Sequence, residues 1–131
     1  MKISEALHFI RGLRDLTRTG TVVPTSRWAS QALLREFRRR RSPRRILEVG
    51  AGTGAVTSVL VRYMEPGDRL LLCEINPDYA AYLHHRFETD PSFARVRDQV
   101  EFFEGSVLDI QGQGTFDCIL SSLPLNNLPP G

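Results

Sequence analysis

A chain of 131 residues, 41% hydrophobic and 24% charged, has the composition of a soluble globular protein with one core. Its net charge of +2 excludes a protein that binds polyanions through bulk charge. No apolar run approaches the ~20 residues of a transmembrane helix, and the amino terminus lacks the apolar core of a signal peptide. Cys73 and Cys118 lie in predicted strands that are not neighbours, which predicts free thiols in a reducing compartment and a cytoplasmic protein.

Residues 1–43 are predicted to form a helical segment. Ser4 can cap a first helix that runs to about Arg18 and is amphipathic and basic, because its apolar residues recur at helical spacing and its arginines lie mostly elsewhere. Two interpretations stay open for this helix. It packs on a sheet with its arginines in water, or it lies on an anionic membrane surface.

A second helix is predicted after a linker, Thr19–Pro24. Thr25 or Ser26 caps it, and it ends in the arginine run Arg38–Arg41, before Ser42-Pro43. Arginines in a last turn interact favourably with the helix dipole, which accounts for part of this run. Four in a row exceed what capping needs, so contact with phosphate groups of lipids or RNA is a further expectation.

A glycine-rich loop follows a short apolar stretch, Ile46–Val49. Gly50, Gly52 and Gly54 form a GxGxG pattern between a predicted buried strand and a helix, with Glu48 just before it. Such a loop lets the backbone and the free N–H groups of the helix approach a nucleotide-type ligand. With Ala55 the loop also fits the dinucleotide pattern, so by itself it leaves S-adenosylmethionine (SAM) and NAD both open.

A second acid marks the end of the next apolar stretch, Arg69–Glu74, which follows a Pro-Gly-Asp turn. Glu74 lies 20 residues after Gly54, at the tip of a predicted parallel strand. A carboxylate at this place can accept both ribose hydroxyls of an adenosine.

The remaining elements complete an α/β pattern. Asn76-Pro77 begins a helix that Asp90-Pro91 ends, and further strands are predicted over Val100–Phe103 and Phe116–Leu120. Right-handed crossovers then give a Rossmann-like, mostly parallel sheet with strand order 3-2-1-4 and helices on both faces. Residues 44–131 are the expected nucleotide-binding domain.

The two motifs, ILEVGAGTG and LLCEIN, resemble the first and second motifs of the class I SAM-dependent methyltransferases. The resemblance implies that the glycine loop wraps the methionine part of SAM, that Glu48 supports the site and that Glu74 holds the ribose. By position the implied cofactor-binding set is Glu48, Gly50, Ala51, Gly52, Gly54, Glu74, Ile75, Ser106, Val107 and Ser121.

The expected adenine contact departs from that family. Ser106 stands where an acid often accepts from the adenine amino group, so recognition would rest on its hydroxyl and on the backbone of Ser106 and Val107. Asp109 is a possible substitute or a surface acid. No spacing of Cys and His residues predicts a metal site.

The turn after the fourth strand, Ser121–Asn127, resembles the fourth motif of amine methyltransferases. Ser122, Leu123 and Pro124 are the expected catalytic residues, because their hydroxyl and carbonyl oxygens would orient the lone pair of an amine. Ser122 replaces the usual Asn or Asp, and Leu125 replaces an aromatic residue that would stack on a base. Both departures disfavour a nucleic-acid base as the acceptor.

The Ser-x-Leu-Pro-Leu turn and the amino-terminal leader resemble the bacterial phospholipid N-methyltransferases, which are related to the rRNA adenine dimethyltransferases. This resemblance implies transfer of a methyl group from SAM to a phosphatidylethanolamine-like headgroup, with peripheral contact at the inner membrane. Three alternatives remain: an rRNA adenine N6-methyltransferase with salt-sensitive RNA binding, a non-catalytic SAM-binding fragment and, more distantly, an NAD oxidoreductase.

The resemblance also predicts an incomplete sheet. The family fold has seven strands, whereas this chain stops just after the fourth predicted one. We therefore expect the fourth strand to be an exposed apolar edge, to be covered by a longer chain or by a partner.

Overall fold

The computed structural model describes residues 8, 11–12, 15–17, 22–24, 35, 37–110 and 114–121. Within them lies one parallel sheet of order β1-β5-β2-β3-β4. Its strands are β1 Val22–Pro24, β2 Arg45–Val49, β3 Arg69–Glu74, β4 Val100–Glu104 and β5 Cys118–Ser121. The predicted order 3-2-1-4 is confirmed for β4, β3, β2 and β5.

Three helices are described in full: α1 Ala55–Tyr63, α2 Pro77–Thr89 and α3 Pro91–Ala94. Asn76 caps α2 because its side chain accepts from the N–H groups of Asp78 and Tyr79, and Asp90 caps α3 by accepting from Ser92. Short 3₁₀ turns cover Arg97–Gln99 and Val107–Asp109. Within the two predicted amino-terminal helices, the described residues His8, Arg11, Gly12, Asp15, Arg35 and Phe37–Arg39 are helical. The predicted end of the first helix near Arg18 is wrong, because Leu16 lies in a turn and Thr17 forms a bridge with Phe116.

The sheet separates two apolar cores, which explains why β3 is a continuous apolar stretch and why β2 is buried from Ile46 to Val49. One core lies against α1 and α2 and includes Ile46, Leu60, Leu72, Leu83, Phe93 and Leu120. The other core includes Leu47, Val49, Leu71, Val107, Ile110, Phe116 and Ile119. Cys118 belongs to the first core and Cys73 to the second, so the two cysteines lie on opposite faces of the sheet.

Two predictions are wrong for the same reason. The segment Thr19–Pro24 is not a linker throughout, and the fourth predicted strand, β5, is not an edge strand. Residues 22–24 form β1, which pairs in parallel with β5 from Val22↔Ile119 to Pro24↔Ser121. β-Branched residues favour strands, and a proline is tolerated in an edge strand, so the sequence Val-Val-Pro suits this position. β5 is consequently paired on both sides, with β1 and with β2.

Two strand boundaries differ slightly from the prediction. β4 continues to Glu104, and the fourth predicted strand begins at Cys118 because Phe116 forms only an isolated bridge with Thr17. Within the described part of the chain, no helix has the length and apolar character needed to cross a membrane.

Candidate cofactor and acceptor site

The glycine loop lies at the carboxyl end of β2 and leads into α1. Gly50, Gly52 and Gly54 have φ angles of 71°, 57° and 86°, a region that side chains with a Cβ rarely adopt. A Cβ on Gly54 would also lie 2.9 Å from Leu83 Cδ2 of α2, whereas one on Gly52 would meet only Gly50 O, at 3.9 Å. Packing against α2 therefore requires glycine at position 54. At position 52 only the backbone angle requires glycine, and the space beside its Cα is open.

Glu74 ties this loop to the end of β3. Its Oε1 accepts from the Gly52 N–H at 2.6 Å, and its Oε2 accepts from the Asn76 N–H at 3.0 Å. A carboxylate has about four acceptor positions, so two remain for hydroxyl groups of a ligand. The predicted ribose acid is thus held rigidly beside the glycine loop.

Glu48 is a fully buried carboxyl group beneath the loop. Its Oε2 accepts from Thr57 Oγ1 at 2.7 Å, and its Oε1 has no hydrogen-bond partner among the described residues. Burial raises the pKa of Glu48 to about 7, the Thr57 hydrogen bond lowers it, and the nearby Glu74 charge raises it. A buried carboxyl group with one unpaired oxygen suits a cationic ligand group.

Two exposed apolar side chains flank the same edge of the sheet. Ile75, 70% exposed, follows β3, and Leu108, 59% exposed, lies in the turn after β4. The two loops are adjacent because the Gly105 N–H donates to Glu74 O at 3.1 Å. Ile75 was predicted from the second motif. Leu108 was missed, since an isolated leucine in a predicted loop gives no periodic signal.

The predicted adenine contacts are partly committed to local structure. Ser106 Oγ accepts from the Leu108 N–H at 3.2 Å and so caps the 3₁₀ turn, and Val107 is buried in the second core. Asp109 is exposed at the end of that turn. Ala51 is another predicted cofactor residue. Its side chain is buried in the first core, so only its backbone can contact a ligand.

The expected acceptor end of the site begins at Ser121, the last residue of β5. Ser121 is buried and pairs in register with Val49 on one side and Pro24 on the other, so it lies at the same sheet edge as the glycine loop. The predicted catalytic residues Ser122, Leu123 and Pro124 lie outside the described residues. Over the part of the chain that the structure covers, no three Cys, His, Asp or Glu residues are grouped to hold a metal ion.

Comparison with known proteins decides between the nucleotide classes that the loop left open. Residues 46–131 match the family model described as a methyltransferase domain. The chain belongs to this family. S-adenosyl-L-methionine is therefore its cofactor, and the unpaired oxygen of Glu48 and the open outer side of the turn at Gly52 suit a cationic ligand beside the loop.

The names of the relatives of this methyltransferase indicate different methyl acceptors. It is 30% identical to the ornithine lipid N-methyltransferase of Singulisphaera acidiphila over 86% of its own length and 58% of that protein. It is 38% identical to the catechol O-methyltransferase of Mus musculus over 60% of its length and 27% of that protein. The chain thus spans little more than half, or less, of the length of these curated relatives.

Solved structures agree on the fold. The O-methyltransferase TomG of Streptomyces achromogenes, crystallised with SAM, superposes with a TM-score of 0.56 at 27% identity and is matched over 92% of this chain and 54% of that one. An O-methyltransferase from Bacillus cereus in complex with S-adenosylhomocysteine gives a TM-score of 0.57 at 24% identity, over 92% of this chain and 53% of that one.

Proposed function

We propose that this methyltransferase transfers a methyl group from SAM to an amine nitrogen of a membrane-lipid headgroup, of the phosphatidylethanolamine kind. The observation that carries the proposal is its 30% identity, over 86% of its length, to an ornithine lipid N-methyltransferase. The turn Ser122–Pro124, which resembles that of amine methyltransferases, supports it independently.

The cofactor is held by groups whose geometry is already fixed. Glu74 receives the ribose hydroxyls on the acceptor positions that its two backbone contacts leave open. Glu48 offers its unpaired Oε1 to the cationic half of the cofactor. Ile75 and Leu108 cover the two sides of the adenine ring with apolar surface.

The chemistry places few demands on the protein. Bound SAM supplies a methyl group that its positive sulfonium already activates for in-line displacement by an amine lone pair. The contribution of the chain is to exclude water and to align the amine, with the Ser122 hydroxyl and the Leu123 and Pro124 carbonyls as acceptors of its N–H groups. A neutral amine needs no strong general base, and the proton that it sheds after transfer passes to water.

Contact with the membrane belongs to the same proposal. The amphipathic first helix carries arginines, of which Arg11 is described and exposed. We expect replacement of Arg11, Arg14 and Arg18 by Gln to weaken sedimentation with vesicles that contain phosphatidylglycerol, while affinity for S-adenosylhomocysteine is unchanged.

The test is methyl transfer from isotope-labelled SAM to four acceptors: phosphatidylethanolamine, ornithine lipid, catechol and rRNA. Mass spectrometry of the products should find the label on the nitrogen of a lipid. Ser122→Ala combined with Pro124→Ala should lower kcat at least about tenfold and leave S-adenosylhomocysteine affinity unchanged, as expected for residues that align only the acceptor.

O-methylation is the second candidate, and the matches to catechol O-methyltransferase and to TomG favour it. The same assay separates the two, because an O-methyl product on catechol with unlabelled lipids would contradict the proposal. Label found only in rRNA would contradict it equally, in favour of the adenine methyltransferase alternative.

A further inference from the structure

We propose that the chain carries a second ligand site, which binds a phosphate group. This site lies at the amino-terminal ends of the strands, whereas the cofactor site lies at their carboxyl-terminal ends. The site is a cavity of about 400 Å³, which we call the arginine cavity; it is lined by Arg38, Arg40, Arg41, Ser42, Tyr63 and Glu65. The inference does not depend on the acceptor that the enzyme methylates.

Arg44 already caps the carboxyl end of the second amino-terminal helix, so this task is not left to the other arginines. Its Nη1 donates to Phe37 O at 2.9 Å and to Arg40 O at 3.3 Å, which caps the last carbonyls of the second amino-terminal helix. Its Nε and Nη2 bind the carboxylate of buried Asp68, at 3.2 Å and 2.7 Å. Burial alone would raise the pKa of Asp68, but these hydrogen bonds hold it below its usual value, so the pair is neutral overall.

Arg38 and Arg41 consequently have no structural task that the described residues show. Neither side chain forms a hydrogen bond or an ion pair within the described part of the chain, and the Arg38 guanidinium lies over the Tyr63 ring, 5.7 Å from its centroid. The acid that lines the cavity is Glu65, which is largely exposed and lies 3.9 Å from Arg44. The lining is therefore more positive than negative once Arg44 and Asp68 have neutralised each other.

The shape and the donors favour phosphate. A guanidinium group presents paired N–H donors that match two oxygens of a phosphate, and several of them around a concave surface bind a discrete group. The Tyr63 ring holds one of these guanidinium groups at the wall of the cavity. A phosphate of a lipid headgroup and a free phosphate ester present the same chemistry to this lining.

The position separates this ligand from the methyl-transfer site. Arg44 directly precedes β2 and Gly50 directly follows it. At ~3.3 Å per residue of strand, the two lie roughly 20 Å apart. A phosphate in the arginine cavity therefore anchors or regulates the enzyme, and it is not part of the amine acceptor aligned at the carboxyl edge.

The experiment compares two double variants of equal charge. Arg38→Gln/Arg41→Gln removes the arginines of the cavity, and Arg62→Gln/Arg97→Gln removes two exposed arginines that do not line it. Inorganic phosphate is titrated by calorimetry at constant ionic strength set with sodium chloride. Vesicles of phosphatidylglycerol and of phosphatidylcholine are tested by sedimentation, and S-adenosylhomocysteine binding reports that each variant is folded.

We expect phosphate affinity to fall at least about tenfold in the cavity variant and to stay unchanged in the control variant, with S-adenosylhomocysteine binding intact in both. A parallel loss of phosphatidylglycerol binding would assign the phosphate to a lipid headgroup, and its absence would assign it to a soluble ester. Equal losses in the two variants, or no phosphate binding by the wild-type protein, would overturn the proposal. If the double variant does not fold, Arg41→Gln alone gives the same comparison against Arg97→Gln.

Discussion

At the scale of a single residue, we expect Glu48 to couple cofactor binding to pH. Its pKa is raised to about 7 mainly by burial, so in the free protein much of the population carries a neutral carboxyl group below that pH. A cationic cofactor favours the ionised form. We expect the affinity for SAM to be about tenfold lower at pH 6 than at pH 8 and this difference to vanish in Glu48→Gln. Calorimetry at the two pH values checks it, and a pH-dependence that persists in the variant would assign it to another group.

The same group should make the free protein less stable as the pH rises. The pKa of Glu48 is raised from 4.5 in the unfolded chain to about 7 in the folded one, so between these values the folded state holds the extra proton. The free energy of unfolding then falls with increasing pH across this window, by up to about 3 kcal/mol, and levels off above it. Urea denaturation at pH 5 and pH 8 should show the fall in the wild type and a smaller one in Glu48→Gln.

Gly54 is the loop glycine that packing as well as backbone angle requires. Ala at this position would have a φ of 86° and a Cβ 2.9 Å from Leu83 Cδ2. We expect Gly54→Ala to lower the free energy of unfolding by about 1–3 kcal/mol and to weaken cofactor binding. Gly12→Ala is the control, because Gly12 is helical and its Cβ would meet only Leu108 at 4.0 Å. Equal effects of the two changes would contradict this account.

At the residue scale, the sequence predicted the positions of the candidate site residues better than their contacts. Glu48, Glu74 and the glycines could be located because strand, loop and acid follow each other along the chain. The contact of Glu48 with Thr57 and the capping role of Ser106 could not, since both depend on how a turn closes in space.

At the scale of elements, β1 is the feature that local patterns did not predict. Three residues give too short a pattern, and their partner strand β5 lies almost a hundred residues later in the chain. β3 and β5 were predictable because each is largely a continuous apolar run. β2 and β4, which contain Glu48 and Glu101, were predictable from the apolar residues on either side of those acids. The helix start at Asn76 was predictable because a capping side chain and a following proline are local signals. Asp90-Pro91 was predicted only as the end of α2, and the short helix α3 that Asp90 caps was missed.

The pairing of β1 should protect β5 from solvent. We expect Val22→Gly combined with Val23→Gly, which lowers strand propensity, to increase hydrogen exchange at the amides of Cys118–Ser121. The amides of β3, in the interior of the sheet, serve as the internal reference and should keep their protection. Unchanged exchange in β5 would show that β1 contributes nothing to its stability.

At the scale of the molecule, the glycine loop and the arginine cavity lie at opposite ends of the strands. The carboxyl edge carries the acids Glu48, Glu74 and Glu104, and the amino edge carries the arginine cavity. This separation matches a cationic cofactor at one edge and a phosphate group at the other. The arginine run, which the sequence linked to phosphate in general, lies at the amino-terminal ends of the strands, away from the glycine loop.

The most direct test is calorimetric titration of S-adenosylhomocysteine, with NAD alongside, into the wild type, Glu74→Ala and Glu104→Ala. Glu104 is a matched control because it pairs in register with Glu74 on β4 but is exposed. The account predicts binding by the wild type, a loss of about ten- to hundredfold in Glu74→Ala only, and weaker or no binding of NAD. Equal affinity in wild type and Glu74→Ala, or preference for NAD, would contradict the assignment of the site.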